Sequence, residues 1–146
     1  MQLKYLKDFV MRRAMPSDRD DILALIRKFG NSATADQIEP EFNRFWAETD
    51  SLFEVFLNNN GMVIAFLYGT RHELVELSAN PNFLKTELKT VLYEALKEWG
   101  AKADQGRLLT QPRLISGDWK TFFKKQGAKI ESQKTADGQR DCIQFD

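Results

Sequence analysis

Few side chains in this 146-residue chain are placed to do chemistry, and they gather in residues 74–92. Glu76 lies in an apolar run, residues 73–79, that reads as a buried strand. On a strand it faces opposite to Val75 and Leu77, so a group able to take or give a proton is set apart from its apolar neighbours. Asn80-Pro81 ends the strand, and a short connection leads into an amphipathic helix, with Lys85, Glu87 and Lys89 near its start. Free amides at a helix start favour an anionic group. Tyr68, on the preceding strand, is a second candidate proton donor.

Other chemistries have little to work with. One histidine, His72, and one cysteine, Cys142, leave no zinc-ligating cluster and no intrachain disulfide. Cys142 falls in the apolar alternation of the last strand, where it reads as a small buried hydrophobe. Lys+Arg and Asp+Glu balance at 21 each, so no net field draws the chain to nucleic acid or an anionic membrane. The basic pairs Arg12-Arg13 and Lys124-Lys125 read as solvated faces. No run is long enough for a transmembrane helix, and Lys4, Lys7 and Asp8 interrupt the apolar start that a signal peptide needs. Cytoplasmic residence is the expectation.

The elements that must position Glu76 follow from periodicity. Hydrophobic content of 42% with 29% charged residues fits one soluble domain, residues 1–146, with residues 1–8 as an N-terminal extension. Residues 9–15 read as a strand. Pro16-Ser17-Asp18-Arg19-Asp20 starts a helix, with Ser17 as cap and Asp20 reaching back to it. Ile22, Leu25, Ile26 and Phe29 form its apolar face. A second helix carries Ile38, Phe42, Phe45 and Trp46, its regular part starting near Pro40. Residues 52–57 and 62–68 are strands joined by Asn58-Asn59-Asn60-Gly61, a hairpin signal. The helix after residues 73–79 shows Leu84, Leu88, Val91, Leu92, Ala95, Leu96 and Trp99 in phase, which starts it near Leu84 with Asn82 as cap. A strand at 107–111, a helix bearing Trp119, Phe122 and Phe123, and a hairpin at 128–145 complete the order β-α-α-β-β-β-α-β-α-β-β. Strands apolar on nearly consecutive residues call for helices on both faces of the sheet.

This order resembles the GNAT (Gcn5-related N-acetyltransferase) superfamily over about residues 9–145. Residues 11–26 are similar to the family's opening, an arginine-bearing strand followed by a capped helix. Glu76-Leu77-Ser78-Ala79-Asn80-Pro81 is similar to its fourth strand, and Phe122-Phe123-Lys124-Lys125-Gln126-Gly127-Ala128 to its closing Phe-Tyr-x-x-x-Gly-Phe signature. The last third, residues 121–145, also resembles GNAT-like proteins of tailed phages, some of them packed in virions. The resemblance implies a mixed, mostly antiparallel α/β fold with helices on both faces, and acetyl-CoA as cofactor. It implies Glu76 as general base, and Leu77, Ala79, Leu84, Lys85, Thr86, Glu87, Leu88 and Lys89 as cofactor-binding positions. The acceptor would be an amine on a small molecule or a protein.

Three departures from the family pattern shape the functional expectation. The pyrophosphate turn, usually Arg/Gln-x-x-Gly-x-Gly/Ala, falls on residues 84–89, which hold no glycine; an early helix start at Leu84 would erase the loop altogether. Phe123 stands where the family's tyrosine protonates the thiolate, with Tyr68 as a substitute donor. Ser116 takes the place of an asparagine, and Trp119 replaces a small residue. Together these favour a GNAT-fold protein that is weakly catalytic or non-catalytic and acts by binding or assembly, with a protein partner or a homodimer through the C-terminal hairpin. The alternative is a divergent acetyl-CoA-dependent N-acetyltransferase. A phage origin would place the protein in a virion.

Overall fold

The computed structural model describes residues 4–5, 9–48, 50–70, 73–84, 87–102, 106–110, 117–136 and 138–145. Its strands are β1 (Lys4–Tyr5), β2 (Phe9–Arg13), β3 (Leu52–Asn58), β4 (Val63–Gly69), β5 (Glu73–Ala79), β6 (Arg107–Thr110), β7 (Lys129–Thr135) and β8 (Gly138–Gln144). They form one sheet in the order β1-β2-β3-β4-β5-β6-β8-β7. Every neighbouring pair is antiparallel except β5 and β6. The helices are α1 (Arg19–Phe29), α2 (Ser32–Ile38), α3 (Phe42–Ala47), α4 (Leu88–Gly100) and α5 (Gly117–Lys125).

Helices cover both faces, which explains why the central strands are apolar on consecutive residues. On one face, Ile22, Ile26, Ile38 and Phe42 of the first three helices pack on Phe53, Val55, Phe66 and Tyr68. On the other, Leu88, Leu92 and Leu96 of α4 and Phe123 of α5 pack on Leu52, Phe56, Leu67 and Leu108. The chain has the α/β architecture expected from its sequence.

The local differences have identifiable causes. Ser17 does not cap α1. Instead the Asp18 carboxylate accepts the Met15 N–H at 2.7 Å and a two-pronged bond from Arg12 at 2.7 and 3.0 Å. A neighbouring guanidinium selects the residue that can accept both bonds. The second helix is two: Asn31 caps α2 by accepting the Ala33 N–H at 3.0 Å, and a 3-10 turn at Pro40 leads to α3. Lys4 and Tyr5 pair with Met11 and Val10, so part of the N-terminal extension adds an outer strand. Cys142 is half-buried rather than buried. No helix among the described residues is long and apolar enough to cross a membrane.

Candidate functional site

A bulge in β5 decides where Glu76 points. Tyr68 pairs with Glu76 and Gly69 with Leu74, so Val75 is an extra residue that no β4 residue opposes. An inserted residue resets the alternation of side chains. Val75 joins the core under α1, whereas Leu77 joins the core under α4. The expectation that these two share a face therefore fails. Glu76 and Ser78 both turn toward the junction of α1 and α2.

There Glu76 is 1% exposed. Its Oε2 accepts the Ser78 hydroxyl at 2.8 Å and its Oε1 the Asn31 N–H at 3.4 Å, with the Thr34 hydroxyl also directed at it. Asn31 is the cap of α2, so the carboxylate sits where a helix start favours negative charge. Burial raises its proton affinity, and the Ser78, Thr34 and Asn31 donors pull it back only in part. The junction can come this close because residue 30 is glycine. A Cβ there would lie 2.2 Å from Ser78 Oγ and 2.7 Å from Glu76 Oε2.

Tyr68, directly across from Glu76, packs its ring edge-on against Phe45 and Phe53. Burial, then the Glu48 charge, push its phenol up to about 12. A phenol so reluctant to ionise is a poor proton donor to a leaving thiolate.

β5 and β6 pair at Glu73–Leu109 and Leu74–Thr110, and residues 75–79 have no partner on that side among the described residues. Leu77 is buried there, and Ala79 is half-buried against the α4-side core. The connection that follows is not helical from Leu84. Asn80 accepts the Asn82 N–H at 3.0 Å and caps a 3-10 turn, Pro81–Phe83. α4 begins at Leu88, and the Val91 N–H bonds to the Glu87 carbonyl at 3.0 Å, so the described helix starts one turn later than the apolar phase suggests. Pro81 fixes φ for the tight turn, and Asn80 competes with helix formation through its local bond.

Leu84 and Glu87 adopt ordinary negative φ, so the described backbone here does not call for glycine. Glu87 is exposed and gives α4 no side-chain cap. Leu88 is fully buried. Lys89 extends its ammonium over Trp119 and Phe122, 5.5 Å from each ring centroid. Lys85, Thr86, His72 and Ser116 lie outside the described residues. Phe123 is fully buried against Tyr93 and Trp119, so its position belongs to the core. Trp119, the departure from a small residue, is half-buried and forms the platform under Lys89.

The structure thus separates the candidate residues. Glu76 lies under the α1–α2 junction, whereas Glu87, Leu88 and Lys89 lie at the start of α4. Gly30, Asn31, Thr34 and Ser78 were missed in the sequence. The available signal was Gly30-Asn31 between two apolar-periodic runs, a helix stop followed by a helix cap. The pairing of Lys89 with Trp119 carries no local signal, because the two residues meet only through the tertiary fold. Among the described residues no group of three or more His, Cys, Asp or Glu side chains could hold a metal ion.

Solved structures share this architecture. Ard1 from Thermoplasma volcanium aligns with a TM-score of 0.65 at 17% identity, over 92% of this chain and 95% of that one. The PaiA N-acetyltransferase of Thermoplasma acidophilum, in complex with coenzyme A, aligns at 0.59 and 17% identity over the whole of both chains. A mutant of the spermidine N-acetyltransferase SpeG from Vibrio cholerae aligns at 0.66 and 10% identity, over 92% of this chain and 91% of that one. No family model matches the sequence, and no curated protein matches it. At such identities the likeness establishes the fold, which is that of the GNAT acetyltransferases.

Proposed function

We propose that this GNAT-fold protein works by binding, with acetyl transfer weak or absent. The observation that carries the reading is the closure over Glu76. A general base must come within hydrogen-bond reach of the amine, directly or through one water. Glu76 is 1% exposed, and its oxygens already serve Ser78 and Asn31. Phe123 has no proton to offer a thiolate.

The start of α4 suits the phosphates of a CoA-type ligand better than the base site suits transfer. The Lys89 ammonium and the first-turn amides of Lys89 and Thr90 would hold them, although Glu87 opposes the charge. Acetyl-CoA, when bound, supplies an activated acyl thioester. The chain's own groups would bind and orient that ligand without drawing a proton from an acceptor. The protein would act through a protein partner or a second copy, with β7 as the outer strand available for pairing. It would do so in the cytoplasm, or in a virion if the chain is phage-encoded.

The test combines calorimetry with CoA and acetyl-CoA and an assay of acetyl-CoA consumption with a polyamine and lysine-containing peptides. Expected is ligand binding with consumption at the protein-free rate. Turnover well above that rate, lost in Glu76→Gln, overturns the reading. It would favour a divergent N-acetyltransferase, which the late start of α4 at Leu88 also supports.

A further inference from the structure

Across the sheet from Glu76 lies another buried carboxylate that none of this chemistry uses. Asp141, on β8, is 6% exposed, and both of its oxygens are engaged. Oδ1 accepts the Ser132 hydroxyl of β7 at 3.1 Å, and Oδ2 pairs with the Lys120 ammonium of α5 at 3.2 Å. Its N–H donates to Thr110 Oγ1 at 3.2 Å, at the end of β6. Burying a charge is costly unless it is paired, and an apolar residue would hold the layers together as well. What an ion pair adds is a fixed orientation.

Residues three apart on a helix share a face. Lys120 and Phe123 both hold α5 down, one through Asp141 and the other through the core. Trp119 and Phe122 form the adjacent face, with ring centroids 6.1 Å apart and planes at 87°. The Lys89 ammonium lies over both rings. Rotating α5 by a fraction of a turn would break that stack.

We propose that Asp141 is a positioning residue: through Lys120 it fixes the rotation of α5, so that Trp119 and Phe122 hold Lys89 at the start of α4. The functional part rests on reading that start as the place where phosphates bind. The geometric part does not.

Fluorine NMR of protein labelled with fluorotryptophan reads the three tryptophans separately. Lys89→Met identifies the Trp119 line. Asp141→Asn and Lys120→Met should each shift that line, the double variant should shift it no further, and the Trp46 and Trp99 lines should stay. Lys120 is partly exposed, so Lys120→Met keeps the test open if Asp141→Asn does not fold. An unmoved Trp119 line in Lys120→Met overturns the proposal, because a role of Asp141 confined to Ser132 and Thr110 would leave that variant silent. Calorimetry with CoA should show about three- to fivefold weaker binding in both variants, the scale of a lost cation–π contact. Affinity unchanged while the Trp119 line moves overturns the functional part. Absence of CoA binding in the wild type overturns the reading of α4, and the fluorine lines still decide the geometry.

Discussion

Gly30→Ala probes the closure over Glu76 with one methyl group. Gly30 has φ −124° and ψ −150°, extended backbone that alanine adopts without strain, so the effect is steric. The new Cβ would lie 2.2 Å from Ser78 Oγ, 2.7 Å from Glu76 Oε2 and 3.2 Å from its carboxyl carbon. The first two are closer than real Cβ contacts permit and the third is merely tight, and Ser78 Oγ and Glu76 Oε2 are tied to each other at 2.8 Å. Either α1 lifts or the pair breaks. Overpacking of this kind costs about 1–3 kcal/mol, and a strained hydrogen bond to a carboxylate places the expectation near 2. Melting should fall by roughly 4–8 °C for a domain of this size. Ser78→Ala removes the nearest atom, so in the double variant the two losses should total roughly 1 kcal/mol less than their sum. Urea unfolding of the four proteins completes the cycle. A Gly30→Ala protein within about 0.5 kcal/mol of the parent would refute the close approach of the α1–α2 junction to Glu76.

Glu54 gives a pH signature. It is 2% exposed, its Oε2 has no hydrogen-bond partner among the described residues, and burial pushes it to about 7 despite Arg13 nearby. The folded state holds this proton more tightly than the unfolded chain does. Stability should therefore fall as pH rises from about 4.5 to about 7, by roughly 3 kcal/mol, and then level off. Glu54→Gln should be about 2 kcal/mol more stable than the parent near pH 8, with the gap closing near pH 4, as chemical denaturation at both values would show. Arg13 donates to the Ser51 carbonyl at 2.8 Å, the Trp46 carbonyl at 2.9 Å and the Glu48 carbonyl, tying the α3–β3 loop to the sheet. Arg13→Ala should lose about 2 kcal/mol, and lysine should recover less than half because its single ammonium cannot span the fork. Phe123→Tyr should restore no acetyl transfer and should lower the melting temperature, since it buries a hydroxyl at a fully enclosed site.

The sequence made the fold legible where periodicity and turn chemistry agree. The hairpin at Asn58-Asn59-Asn60-Gly61, the strand ending at Asn80-Pro81 and the C-terminal hairpin appear within a residue or two of their expected limits. The start of α4 was illegible because Leu84 falls in phase with the helix yet packs from a loop. Apolar phase reports burial, and the Asn80 turn outcompetes the helix there. The orientation of Glu76 was illegible for another reason: the bulge at Val75 arises from pairing with β4, and no local pattern in β5 announces it. Burial of Glu76 depends in turn on Gly30, which is distant in sequence and whose missing side chain makes the room. Candidate positions could thus be chosen from the sequence, but their separation between an enclosed carboxylate and the start of α4 could not.

The closure over Glu76 is tested most directly by NMR. The Glu76 side-chain carboxyl would be followed through acid titration, assigned by Glu76→Gln, together with hydrogen exchange at the Asn31 amide. A closed junction predicts that Glu76 titrates above the ordinary carboxylate range and that the Asn31 amide is protected. An ordinary titration with an unprotected Asn31 amide would contradict it, and would return Glu76 to the solvent as a base open to an amine.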